Sequence, residues 1–247
     1  LHILGIKDAI IALENNKPKA LEVIRKACEN TGIKVVSVPT KYPQGGEKQL
    51  IKAIYNKVIP SGKLPIDIGF VVLNVTSAFW LYNSIVKGKV LIEEIVTVSG
   101  GGISTAKNYR VPIGTRIKEI LDAVGFKKEI TEKLLTGGPM MGISQYTDEV
   151  PVIKGTSGIL ALTKEETNPY KSKSCISCGK CVEVCPMGLS PLMYAKFAEF
   201  EKWEEFKEYN IFDCIECGSC QFICPAKRPL TEGIRVGKAK LRSMDIK

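Results

Sequence analysis

Two cysteine runs near the C-terminal end restrict this chain more than any other feature. Cys175, Cys178, Cys181 and Cys185 precede Pro186, and Cys214, Cys217, Cys220 and Cys224 precede Pro225. Both runs have gaps of two, two and three residues and close on Cys-Pro. Eight of nine cysteines in two tight groups do not make a disulfide scaffold, and in a chain of 247 residues they point to metal and to a reducing compartment. Structural zinc uses CxxC pairs with two ligands per element, not complete four-thiol runs. Three thiolates at two-residue gaps can wrap a loop around one iron–sulfur cubane, and the fourth, set off by its proline, reaches the other cluster. The spacing therefore assigns Cys175, Cys178, Cys181 and Cys224 to one [4Fe–4S] cluster and Cys214, Cys217, Cys220 and Cys185 to a second. Gly179 and Gly218 follow the second cysteine of each run, where backbone passes close to inorganic sulfide. Two clusters braided in this way form an electron path.

Charge bears on what such a path could meet. The formal net charge is +9 with neutral cysteines. It falls to about +5 once each cluster with its four thiolates contributes roughly two negative charges. A mildly basic electron carrier suits an acidic redox partner or an anionic membrane surface. The basic residues are scattered, with no Arg-rich or aromatic-interleaved stripe, so nucleic acid is not the expected partner. No apolar run reaches the roughly 18 to 20 residues of a membrane span. The longest, Ile66 to Val75, contains Asp67 and Asn74 and reads as a buried strand.

Between the runs, Ser190-Pro191 opens a helix expected to continue to about Tyr209. Met193, Phe197, Phe200, Trp203 and Phe206 recur along it every three or four residues, a stripe expected to pack beneath the clusters. Residues 1–82 read as α/β. A helix from Pro18 to about Asn30 places Leu21, Ile24 and Cys28 on one stripe, so Cys28 reads as a core residue. A strand follows at Ile33–Val38, then a helix from Glu47 to about Lys57 and a strand at Ile66–Asn74. Residues 83–136 change character: a β-branched alternation over Val90–Ser99, three glycines, a short strand at Tyr109–Ile113 and a helix near Arg116–Val124 closed by Gly125. Strands followed by one helix suggest a small β-grasp-like α+β module. Residues 137–168 bring glycine-rich turns and an apolar strand, Ile159–Leu162, and residues 169–247 form the cysteine domain.

The segment from Lys41 to Leu50, with Gly45 and Gly46 at its centre, sits between a strand and a helix. Glycines let backbone approach a flat or anionic ligand, and a helix N-terminus attracts phosphate. Neither GxGxxG nor a Walker A pattern is present. Tyr42-Pro43-Gln44-Gly45-Gly46-Glu47-Lys48-Gln49-Leu50, Leu73-Asn74-Val75-Thr76, Gly137-Gly138-Pro139-Met140-Met141-Gly142 and the two cysteine runs together resemble the C subunit of the Rnf complexes. Those are membrane-bound ferredoxin:NAD oxidoreductases that couple electron transfer to ion pumping, and the family is also similar to the flavin-bearing, NADH-oxidising subunit of respiratory complex I.

The resemblance implies an α/β flavodehydrogenase-like remnant (1–82), an inserted soluble-ligand-binding β-grasp (α+β) module (83–136), a return segment to the α/β domain (137–168) and a helical two-[4Fe–4S] ferredoxin-like domain (169–247). It implies that Gly45, Gly46, Glu47 and Lys48 line an FMN and nicotinamide site and that Asn74, Val75 and Thr76 touch the flavin; a solvated residue at a helix N-terminus is the plainer reading of Glu47. The implied partners are other subunits of a membrane complex, a ferredoxin-type carrier and NAD(H), with the chain peripheral on the cytoplasmic face of the membrane. The family carries a glycine-rich flavin loop upstream of this region, and a sequence that begins at Leu1 is expected to be a piece lacking it. Two other classes fit the same residues: a corrinoid-reducing flavoprotein of bacterial microcompartments, and a ligand-binding module whose clusters are structural.

Overall fold

The structure is a computed structural model that describes residues 5–6, 8–167 and 171–244. It divides into two compact units, residues 1–72 and 73–247. The expected boundary between residues 168 and 169 lies outside the described residues.

The first unit holds a parallel pair, β1 (Ile10–Glu14) and β2 (Lys34–Val38), joined through α1 (Pro18–Cys28), with α2 (Glu47–Tyr55) following. Pro18 opens α1 at the first turn, where its missing N–H costs nothing. β1 is additional to the expected strands. It is a five-residue strand, IIALE, too short to show a period by itself. The expected strand at Ile66–Asn74 is not formed. Pro65–Ile68 is a 3₁₀ turn, in which the Asp67 carboxylate accepts the Leu64 N–H at 2.7 Å and Gly69 closes the turn at φ +79°. Proline and glycine four residues apart favour that turn over a ladder.

In the second unit, α3 (Val75–Lys87) starts at Asn74, whose side-chain oxygen accepts the Thr76 N–H at 2.9 Å. Five strands then make one sheet in the order β4-β3-β7-β5-β6. β3 (Glu93–Ser99) pairs antiparallel with β4 (Lys107–Pro112), Val96 opposite Tyr109. α4 (Ile117–Ala123) covers one face with Ile117, Ile120 and Leu121, spaced for a single helical stripe. β5 (Thr131–Thr136), β6 (Ile143–Gln145) and β7 (Gly158–Thr163) complete the sheet, with β7 central and parallel to β3. The strands of the expected return segment, β6 and β7, thus belong to this sheet rather than to the β1–β2 pair. The reason is packing: Ile159 and Ala161 on β7 are fully buried beside Val96, Val98, Ile117 and Leu121. The triple glycine before β4 has a matching cause, since Gly100 sits at φ +110° and a Cβ there would collide with the Ala161 carbonyl.

The short α5 (Lys164–Thr167) leads toward the cysteine region. There α6 (Lys180–Glu183), α7 (Pro191–Glu199), α8 (Trp203–Glu208), α9 (Ser219–Ile223) and α10 (Leu230–Ser243) surround a second core. The single helix expected from Pro191 to Tyr209 is two helices, broken at Phe200–Lys202 with Glu201 at φ +51°. The break turns Phe200 outward to 71% exposure, so it leaves the aromatic stripe. Tyr194 takes the buried place instead, stacked on Phe206 at 5.8 Å, and its hydroxyl donates to the Tyr209 carbonyl. α10 crosses this core so closely that a Cβ on Gly237 would run into the Phe206 ring. Among the described residues no helix is long and apolar enough to cross a membrane.

Candidate iron–sulfur and flavin sites

Each cysteine run folds as the same unit. The first two cysteines lie on a tight loop whose third residue has a left-handed backbone, Ser177 at φ +54° and Glu216 at φ +55°. Left-handed glycines, Gly179 and Gly218, then start the one-turn helices α6 and α9, which carry Cys181 and Cys220. In both loops a backbone N–H points at the first sulfur: Ser177 donates to Cys175 Sγ at 3.4 Å and Glu216 to Cys214 Sγ at 3.3 Å. The fourth cysteine follows the helix, and Leu189 N–H donates to Cys185 Sγ at 3.4 Å.

The structure gathers the thiols in a crossed pattern. A cavity of about 240 Å³ is lined by Cys175, Cys178 and Cys181 of the first run and Cys224 of the second. A tighter one, about 20 Å³, is lined by Cys214, Cys217 and Cys220 of the second run and Cys185 of the first. Among the described residues no three Cys, His, Asp or Glu side chains converge as a site for a single ion; the thiols ring space instead. Four soft sulfur donors around each cavity are the donor set a [4Fe–4S] cubane takes.

The electrostatics of the cradles also fit a cationic guest. Burial pushes the Cys220 thiol up to about 12, and the neighbouring Cys214, Cys217 and Cys185 thiols raise it further. Burial likewise raises Cys214 and Cys181, against backbone N–H bonds that lower them. A thiolate is therefore expensive to form here until iron supplies positive charge, and a coordinating thiol is deprotonated outright. The residues present fit two clusters, and they would be held by these eight sulfurs.

The two cradles differ in their surroundings. Cys175 and Cys178 are exposed, whereas Cys217 and Cys220 are buried. A Cβ on Gly179 would meet open space, but one on Gly218 would lie 2.6 Å from the Met140 carbonyl oxygen, so the Gly137–Gly142 turn closes over the second loop. Beside that loop stands an ion group that spacing alone did not reveal. Lys238 Nζ donates to Glu216 Oε1 at 2.8 Å and to the Cys214 carbonyl at 2.6 Å. Arg235 Nε donates to Glu216 Oε2 at 3.1 Å, and its Nη2 reaches the Met141 carbonyl at 3.4 Å. Burial raises the Glu216 carboxyl, but the hydrogen bond and charge of Lys238, then those of Arg235, outweigh it and hold the group below its usual value. The one available signal was the contrast of Cys175-Ile176-Ser177-Cys178 with Cys214-Ile215-Glu216-Cys217.

The expected flavin residues fall in two places. Gly46 caps α2, Glu47 lies in its first turn, and a Cβ on Gly45 would meet nothing within 4 Å. Open backbone at the N-terminus of a nine-residue helix suits a flat anionic cofactor. Asn74, Val75 and Thr76 lie in the second unit at the start of α3, where the Asn74 side-chain oxygen already serves its own helix as cap.

Residues 1–83 match the family of the Nuo51 FMN-binding domain and 95–144 the SLBB domain. Residues 174–227, spanning all eight clustered cysteines, match a 4Fe-4S dicluster domain, and a second family of that description matches 145–190. The C subunit of the proton-translocating ferredoxin:NAD(+) oxidoreductase complex of Clostridium ljungdahlii is 45% identical over 98% of this chain and 53% of its own length. The C subunit of the Na(+)-translocating complex of Acetobacterium woodii is 43% identical over 96% of the chain and 54% of its own length. Its counterpart in the ion-translocating oxidoreductase complex of Rhodobacter capsulatus is 41% identical over 96% and 46%. The chain thus spans about half the length of the curated relatives it matches. Among solved structures, an NAD+-reducing [NiFe]-hydrogenase in the H2-reduced state shares the fold over 97% of this chain and 48% of that one, with a TM-score of 0.57 and 12% identity.

Proposed function

The chain belongs to the family of C subunits of ion-translocating ferredoxin:NAD(+) oxidoreductase complexes, and from that premise we propose that it is an electron-transfer subunit with two [4Fe–4S] clusters and part of an FMN/NAD site. The observation that carries the reading is the crossed gathering of thiols, three from one run and one from the other around each cavity. The clusters, when bound, supply one-electron carriage. The protein's part is to hold them: eight sulfurs fix their positions, N–H groups of Ser177, Glu216 and Leu189 point at coordinating sulfurs, and a packed core under α7, α8 and α10 keeps both cradles in one rigid piece.

On the flavin side, Gly45, Gly46, Glu47 and Lys48 at α2 of the first unit would line an FMN and NAD(H) site, and for the second unit taken by itself the family resemblance gives Asn74, Val75 and Thr76 at α3 as flavin contacts. The match of residues 1–83 to an FMN-binding domain supports that assignment. The sheet with α4 would be a β-grasp-like module, which its match to an SLBB domain supports. The wider setting follows the relatives' names: other subunits of a membrane complex and a ferredoxin-type carrier as partners, with the chain peripheral on the cytoplasmic face.

The test is anaerobic cluster analysis of the chain. The expected result is about eight irons and eight acid-labile sulfides per chain, with both clusters reducible by a strong reductant. A preparation holding zinc without sulfide, or clusters that never reduce, would sink the reading.

A further inference from the structure

The two cysteine loops are internal repeats, so their differences are informative. They share backbone conformation, the N–H to sulfur bond and the glycine that starts the following helix. They differ at the residue between the second-position isoleucine and the second cysteine, Ser177 in one and Glu216 in the other. Glu216 is bound by Lys238 and Arg235, both from α10. The Lys238 side chain is only 7% exposed, and a lysine that buried requires a specific partner. Its ammonium also donates to the carbonyl of Cys214, a residue lining the second cavity. Two cations and one carboxylate therefore stand fixed against this loop. The first cavity has charges in its own lining, Lys196 and the Arg228–Glu199 pair, but its loop carries the uncharged Ser177 where the second carries Glu216.

We propose that the Lys238–Glu216–Arg235 group sets the reduction potential of the second cluster and leaves the first to its own surroundings. This rests on the two-cluster reading above. Adding one electron makes a cluster more negative, and a fixed positive charge beside it favours the reduced form while a fixed negative charge opposes it. Burial sharpens the effect at Lys238, whose ammonium is shielded from water and salt more than the half-buried Glu216 and the more exposed Arg235. Lys238, Glu216 and Arg235 are positioning residues: they touch the loop, not the iron.

A redox titration of the cluster-loaded chain, followed by electron paramagnetic resonance, tests this with opposite signs. Wild-type protein should show two one-electron steps, and Cys185→Ser identifies the step that belongs to the second cluster. Lys238→Met should move that step down by about tenfold in the reduction equilibrium, ~59 mV for one electron. Glu216→Ser, which installs the first loop's residue, should move it up by a similar factor. Arg235→Gln should follow Lys238→Met with a smaller shift, being more exposed. The other step should stay in place throughout. Shifts of the same sign for Lys238→Met and Glu216→Ser, equal movement of both steps, or no movement would overturn the proposal. Loss of the second cluster in all three variants would also overturn it, showing a role in folding alone. A wild-type chain without two clusters would instead sink the two-cluster reading.

Discussion

Glu166 shows how a single side chain closes a loop in this fold. Its carboxylate accepts the Thr163 N–H at 2.8 Å and the Gly101 N–H at 2.9 Å, tying the triple-glycine turn to the end of β7. Those two bonds, Thr163 first, hold its carboxyl below the usual value. A depressed folded-state value means that the stabilisation is complete above the unfolded pKa and is lost as pH falls through the folded one. Glu166→Gln should therefore lower Tm at neutral pH, with the gap to wild type closing as pH falls below about 4; a gap constant from pH 7 to 3 would contradict the clasp. At this scale the sequence is readable where chemistry is local. Eight cysteines at gaps of two and three residues mark the candidate ligands, and the crossed gathering of their thiols around two cavities is the one expected from Cys-Pro. Glu216 does not declare itself, since Lys238 lies 22 residues away on another helix. Lys238 in sequence looks like one more cation on a basic helix.

At the scale of elements, caps and close approaches decide what periodicity leaves open. The stretch Ile66–Asn74 has the apolar content of a strand, yet Pro65 and Gly69 bend it into a 3₁₀ turn and Asn74 caps a helix. Asn74→Ala should cost about 1 kcal/mol through the lost cap, read by chemical denaturation; an unchanged midpoint would show that α3 is held by packing alone. The aromatic stripe was legible as core, but its helix was not legible as two, because the break at Glu201 falls on a residue with no turn signature. Small residues then set the spacing of the helices. Gly233 faces Ala198 of α7, and Gly237 lies under the Phe206 ring. Phe206 is fully buried between Tyr194 and Trp203 and cannot swing away. Gly237→Ala should thus destabilise the cluster region by about 1–3 kcal/mol through overpacking, despite alanine's better helix propensity. A stabilised variant would show that α10 shifts freely.

For the molecule as a whole, two cores within one compact unit carry the account. One lies under the five-stranded sheet and the other under the cysteine loops, and the Gly137–Gly142 turn of the first touches the second through Met140 and Met141. That contact was hidden in the sequence, because the turn and Gly218 are far apart along the chain and neither carries a charge that would advertise the other. The crossing of the two runs makes the cluster region a closed device: each cradle is complete only when both loops are folded. The most direct measurement is electron paramagnetic resonance of reduced Cys185→Ser and Cys224→Ser beside wild type. Cys185→Ser should alter the cluster of Cys214, Cys217 and Cys220, although Cys185 belongs to the first run, and Cys224→Ser should alter the cluster of Cys175, Cys178 and Cys181. If each substitution instead disturbs only the cluster of its own run, the ligation is uncrossed and the central claim is wrong.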